Sequence, residues 1–323
     1  MIFDEKITMK PLEYPHLIEY KKAIRNSYWI VEEYNFTSDI QDFKINLSES
    51  EKEIIRRTML AISQIENNVK NYRGDLYKTF PKPEIASVWF TFAESEVRHA
   101  DAYSHLLELL WLNWDFEDLI NVPCIKKRLE YLSETKAYSI SKNKEESVLW
   151  LILFSLLIEH ISLFSQFFIM LSFKRFKNTL NWISNTVSAT SLEEQIHWDF
   201  WIELIKIIKN EYPDMFSKEL IEKTLEVCKE CYETEIEIVD WIFETWELEF
   251  LPKEQVNEFI KDRINKSLDS IWIEKLFEIN KDILKKTKWF NEETTITKHV
   301  DFFSARSVAY SKKTKSITED DLF

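Results

Sequence analysis

Apolar residues recur along this chain at spacings of three and four over long uninterrupted runs, the period of helices with one buried face. A first helix ends near Trp29-Ile-Val-Glu-Glu33 and gives way to a polar connection, Thr37-Ser-Asp-Ile40. Ser48-Glu-Ser-Glu51 has the form of a capping box and opens a helix running to about residue 72. Gly74 and the Pro81-Lys-Pro83 pair punctuate the chain, and a helix over residues 84–110 follows. Shorter helices fill residues 123–142, and the most apolar helix of all spans 147–173. Residues 182–209 form another, stopped before Pro213; a Glu-rich helix covers 217–250, closed by Pro252; further helices occupy 253–286. The apolar rhythm fades from about Asp301, and residues 311–323 read as a flexible tail.

Composition sharpens this to an all-α fold. One glycine and seven prolines in 323 residues are too few for the turns of a sheet-rich protein, while 12 Trp and 23 Phe supply a large core. We expect one helical domain over residues 1–300 and a tail over 301–323. A net charge of −14 argues against a nucleic-acid partner. Cys124, Cys228 and Cys231 make no disulfide framework, which points to a reducing cytoplasm. Cys228-Lys-Glu-Cys231 lies in a helical run without further zinc ligands nearby, so its thiols are read as packing groups. Charges interrupt Met1-Ile-Phe-Asp-Glu-Lys6, unlike a signal peptide. Residues 147–173 are long enough to imitate a membrane span, but Glu159, His160 and Gln166 interrupt them, so a buried helix and no membrane are expected.

The candidate chemistry lies in Glu-x-x-His pairs. Residues three apart on a helix share a face, so such a pair presents a carboxylate and an imidazole together. Glu13/His16 contains Pro15 and is set aside; Glu96/His99 and Glu194/His197 lie on long aromatic-rich stretches. Tyr103 adds a redox-capable ring to the first face. Ser191-Leu-Glu-Glu194 could merely start a helix as a capping box, although no proline or glycine precedes it back to Ser147. Glu159 is an acid at the centre of the most apolar helix, with no Lys or Arg between Lys144 and Lys174, and a buried carboxylate needs a cation or a proton. Glu66 sits among Ile62, Ile65 and Val69. The order Glu, Glu-x-x-His, Glu, Glu-x-x-His on successive helices is the ligand pattern of ferritin-like dimetal carboxylate proteins. Glu66, Glu96, His99, Glu159, Glu194 and His197 are therefore expected to hold two transition-metal ions per chain. Oxygen-rich ligation with one imidazole per ion suits iron or manganese.

With these residues placed, the chain resembles the radical-generating small subunit of class I ribonucleotide reductase over roughly residues 10–323. Glu96-Val-Arg-His-Ala-Asp-Ala-Tyr103 resembles the family's second-ligand helix, with Tyr103 at its radical tyrosine, and Ser191-Leu-Glu-Glu-Gln-Ile-His197 its last ligand helix. Asn26-Ser-Tyr-Trp-Ile-Val-Glu-Glu33 is similar to the segment with the electron-relay tryptophan, here Trp29. Asp301-Phe-Phe-Ser-Ala-Arg-Ser-Val-Ala-Tyr310 is similar to the approach to the mobile tail tyrosine, here Tyr310, and Glu319-Asp-Asp-Leu-Phe323 to the tail that docks on the large subunit.

The resemblance implies a ferritin-like helical bundle with extra helices, a homodimer, and activity only with the large catalytic subunit. It implies that the reduced metal pair reacts with an oxygen species and that Tyr103 stores the oxidising equivalent. Transfer through Trp29, Glu193 and Tyr310 would then drive reduction of ribonucleotides to deoxyribonucleotides. Leu163 and Phe167, beyond Glu159 on its helix, could keep the radical dry. Two positions depart from the commoner pattern: Glu66 stands where the family usually has Asp, and so does Glu193. The first opens the choice of metals, with a diiron pair expected and manganese/iron or dimanganese as alternatives. The competing readings are a ferritin-like dimetal oxidase or monooxygenase, an iron-storage protein, and a helical scaffold with coincidental pairs.

Overall fold

The computed structural model describes residues 1–72, 76–139 and 143–299. Tyr310 and the tail motif lie outside the described residues. By internal packing the chain divides into Met1–Thr287 and Lys288–Phe323. In the second unit, Lys288–His299 is helical.

Within the first unit the main helices are α1 (Ile18–Asn26), α2 (Glu49–Tyr72), α3 (Pro83–Leu109), α4 (Pro123–Ser139), α5 (Lys144–Lys177), α6 (Asn181–Glu211), α7 (Lys218–Ile242) and α8 (Lys253–Ser270). No β-strand occurs among the described residues, as the scarcity of glycine and proline predicts. Helix α2 packs against α3, α3 against α6, α6 against α5, and the second half of α5 back against α2. That closed ring is a four-helix bundle, the geometry in which facing side chains of four helices can build one site. Helices α4, α7 and α8 pack around α5 and one another.

Local signals explain most helix ends. The Ser48 capping box forms: Glu51 N–H donates to Ser48 Oγ and Ser48 N–H to Glu51 Oε2. Pro83 occupies the first turn of α3, where a missing N–H costs nothing. Ser217 Oγ and Asn143 Oδ1 accept backbone N–H groups at the starts of α7 and α5. Asn178 ends α5 in the left-handed region at φ 52°, and Leu180 at φ 54° turns the chain straight into α6.

Four details differ from the sequence expectation. Helix α1 stops at Asn26, so Ser27–Ile30 run as open chain to a single 3-10 turn at Val31–Glu33. The polar connection is a short helix, Thr37–Gln41, whose buried Asp39 accepts the Ile183 N–H at 2.7 Å while Asp42 accepts that of Leu180 at 3.0 Å. These two carboxylates cap α6 from a distant segment, so α6 starts at Asn181 and Ser191 lies in mid-helix rather than at a cap. Helix α7 ends at Ile242, short of Phe250, and Pro123–Ser139 forms one helix, α4, where several shorter ones were expected. The further helices expected over 253–286 are present as α8 and the short Lys281–Lys285, parted after Ser270 with Trp272 at φ 62°.

Helix α5 is long and apolar enough to cross a membrane, but 94% of its most apolar window is buried inside the protein, as a core helix would be. Its centre is not regular. Phe154–Ser162, which carries Glu159, is wound as π-helix and is followed by a turn at Leu163. Wider π turns shift side chains off the α register and recur at functional sites. Leu163 and Phe167 are buried, Phe167 against Phe164. The three cysteines are free and buried, and burial pushes the Cys228 thiol up to about 12, consistent with inert packing groups.

Candidate dimetal centre

Each helix of the bundle brings one part of the expected site. Glu66 comes from α2, Glu96 and His99 from α3, Glu159 from the π segment of α5, and Glu194 and His197 from α6. None of the six exposes more than 1% of its surface. They form two overlapping quartets, Glu66/Glu96/His99/Glu194 and Glu96/Glu159/Glu194/His197, within each of which one ligand atom per residue lies within 4.8 Å of all the others. Glu96 and Glu194 belong to both. Two cations would thus each have one private carboxylate and one imidazole, with two carboxylates between them.

Both imidazoles turn Nδ1 inward. His99 Nδ1 lies 3.0 Å from Glu194 Oε1 and 3.7 Å from Glu66 Oε2; His197 Nδ1 lies 3.1 Å from Glu96 Oε1 and 3.5 Å from Glu159 Oε2. Their outer nitrogens are engaged elsewhere: His99 Nε2 with Glu193 Oε2 at 2.8 Å, His197 Nε2 with Ser95 Oγ at 3.0 Å. Ser95 spends its own proton on the Phe92 carbonyl, so it can only accept from the imidazole. An Nε2–H is thereby fixed on His197 and Nδ1 faces the centre, the orientation a metal ligand needs once that nitrogen gives up its proton. Trp201 Nε1–H, one turn beyond His197, donates to Glu159 Oε1 at 3.3 Å.

The electrostatics are those of a cation site. Burial pushes Glu66 well above the ordinary carboxylate range; His99 opposes this, and Glu194, Glu96 and Glu159 reinforce it. For both imidazoles burial disfavours the charged form but loses to the surrounding glutamates, which hold His99 well above its usual range and His197 at about 10. Both Glu66 oxygens are buried outside hydrogen-bond geometry. Such atoms are costly unless something positive binds them. Four carboxylates balance two divalent ions, so the donor set fits a dimetal centre.

Tyr103 lies one turn beyond His99, fully buried. Burial, then the charge of Glu66, raises its phenol well above the usual range, with the Thr190 hydroxyl acting in the opposite sense; the ring keeps its proton. Trp29, 2% exposed, stacks on His99 with centroids 5.9 Å apart and planes at 16°. Its Nε1–H donates to Glu193 Oε2 at 3.2 Å, the oxygen that meets His99. Burial raises the Glu193 carboxyl, but His99 and Arg98 outweigh it and hold it below the usual range. The structure therefore brings together all the described residues expected at the site. Ser95, Trp201 and Arg98 were not anticipated. Their helical spacing from the ligands was visible in sequence, but nothing in it marked them as touching groups on another helix.

The sequence profile described as "Ribonucleotide reductase, small chain" matches residues 6–285. A probable ribonucleoside-diphosphate reductase small subunit of Invertebrate iridescent virus 3 is 22% identical, over 98% of this chain and 86% of its own. The ribonucleotide reductase R2 subunit from Clostridium botulinum superposes with a TM-score of 0.81 at 19% identity, covering 90% of this chain and 91% of that one. The dimanganese(II) NrdF of Streptococcus sanguinis gives 0.75 at 18% identity, covering 88% and 99%. A buried dimetal ligand set in a four-helix bundle and a family profile spanning most of the sequence lead to one assignment: this chain belongs to the ribonucleotide reductase small-chain family, an oxidoreductase family of ferritin-like helical proteins.

Proposed function

We propose that this chain generates and stores the radical with which a large catalytic subunit reduces ribonucleotides. The observation that carries the reading is the pair of overlapping quartets that share Glu96 and Glu194. Glu66, Glu96, His99 and Glu194 would hold one ion, and Glu96, Glu159, Glu194 and His197 the other. A diiron pair is the first expectation, and the same oxygen-rich set accommodates manganese/iron or dimanganese. Such ions, when bound, would supply the oxidising chemistry for radical formation, drawing on oxygen or a reduced oxygen species.

The protein's own residues do the rest. Tyr103 holds the oxidising equivalent as a neutral phenoxyl, which survives because the ring is sealed from water and reductants. Trp29 and Glu193 carry it outward: the indole, Glu193 Oε2 and His99 Nε2 form a continuous hydrogen-bonded line from the centre. Tyr310 and the tail ending in Phe323 pass it to the large subunit and dock there. The active form is a cytoplasmic homodimer.

Reconstitution with metal and air is expected to give a tyrosyl radical signal by electron paramagnetic resonance. Tyr103→Phe should abolish that signal while two metals per chain stay bound. A radical that persists in the variant would show that another residue carries it.

A further inference from the structure

Glu193 uses its two oxygens differently. Oε2 stands between Trp29 Nε1 at 3.2 Å and His99 Nε2 at 2.8 Å, whereas Oε1 accepts from Ser27 Oγ at 3.2 Å and Arg98 Nη2 at 3.1 Å. A glutamate side chain has three rotatable bonds, so this division holds only while something fixes Oε1. Ser27 is a poor candidate. Its hydroxyl has one proton and also lies 3.1 Å from the Ile24 carbonyl, so it can serve only one of the two acceptors at a time.

Arg98 has no such conflict. Its five N–H donors lie in a rigid plane, and each side of that plane is committed. Nη2 binds Glu193, Nη1 donates to the Trp29 carbonyl at 2.9 Å, and Nε meets Glu94 at 3.0 and 3.1 Å. The guanidinium also lies over the Tyr28 ring, 4.5 Å from its centroid, and 5.7 Å from that of Trp29. Arg98 is 7% exposed and is the residue before His99 on α3. One side chain thus ties the backbone of Trp29 to the carboxylate that its indole uses.

We propose that Arg98 is a positioning residue for radical transfer: it clamps Glu193 Oε1 and the Trp29 backbone so that Glu193 Oε2 stays between the Trp29 indole and His99. This rests on the functional reading above, because only a transfer role gives the alignment a purpose. A lysine would keep the charge but could not span the same partners with one nitrogen.

The first test uses the full chain without metal. The indole N–H of Trp29 is followed by 15N NMR and assigned by its absence in Trp29→Phe. In Arg98→Met this signal should move toward the position of an indole without a hydrogen-bond partner, and its exchange with solvent should quicken by about 10-fold or more; Arg98→Lys should be intermediate. The second test uses loaded protein with the large subunit. Arg98→Met should keep its metals and its Tyr103 radical yield, while turnover per radical falls by about 10-fold or more at unchanged KM. An unmoved Trp29 signal overturns the proposal, as does turnover per radical within about 2-fold of the unsubstituted protein. Metal loss in Arg98→Met would likewise overturn it, making the residue a support of the His99 ligand instead. Failure of the unsubstituted protein to form a radical would sink the functional reading and with it the transfer role, while the indole measurement still judges the clamp by itself.

Discussion

At the scale of single residues, the centre is a set of groups each poorly placed without a cation. Glu66 is surrounded by other carboxylates in a site closed to water, and His99 and His197 are held in the charged form by the glutamates around them. Metal ligation requires neutral imidazole and ionised carboxylate, so loading must expel protons. The sign follows. In the metal-free protein His197 keeps its proton up to about pH 10, against about 6.5 in the unfolded chain. That contribution to metal-free stability is full below the unfolded value and is lost as pH rises through the folded one. Metal affinity should therefore rise with pH, and the thermal midpoint gap between loaded and chelated protein should widen from about pH 6 to about pH 8. Proton release on loading, measured with a pH indicator, checks the same point; loading without release would contradict it. Glu66→Ala should leave one ion bound per chain, because only its quartet loses a private ligand.

At the scale of elements, two features govern how the ligands meet. Asp39 and Asp42 cap the start of α6, the helix that carries Glu193, Glu194 and His197. Asp39→Ala leaves the buried Ile183 N–H without its acceptor and should cost about 1–2 kcal/mol in urea unfolding. A loss below about 0.3 kcal/mol would mean that the cap is redundant. The second feature is the π segment. Arg263 Nε donates to the His160 carbonyl and Arg128 Nη1 to that of Ser162, in the last π turn before the winding changes at Leu163. Buried guanidinium groups at those carbonyls support the wider winding that places Glu159. Arg263→Met should weaken the quartet that contains Glu159 more than the one that contains Glu66. A metal titration that resolves two binding events checks this, and equal weakening of both would count against it.

At the scale of the whole molecule, the four-helix ring excludes water from one point. The ring of α2, α3, α6 and α5 buries all six candidate ligands and Tyr103, and Trp29 approaches from the open chain after α1. Removing the residues after Ser311 should leave metal content and the radical signal intact and abolish turnover with the large subunit. Unchanged turnover in the truncated chain would remove the docking role from the tail.

Much of this was legible in the residues themselves. The all-α class followed from glycine and proline scarcity, and the bundle helices from long apolar periodicity. The Glu-x-x-His pairs were visible because a helix turns spacing in sequence into a shared face, a purely local rule. Glu159 stood out because a lone acid in an apolar helix implies a cation wherever it is buried. Tertiary structure alone decided what depends on other segments. It divided six candidate ligands into quartets sharing Glu96 and Glu194, wound the helix around Glu159 into π form, and capped α6 with Asp39, more than a hundred residues away in the chain. It also turned Arg98, one polar residue among many on α3, toward Glu193 and Trp29. Those contacts join segments far apart in the chain, and no periodicity within one helix records which residue of another it will meet.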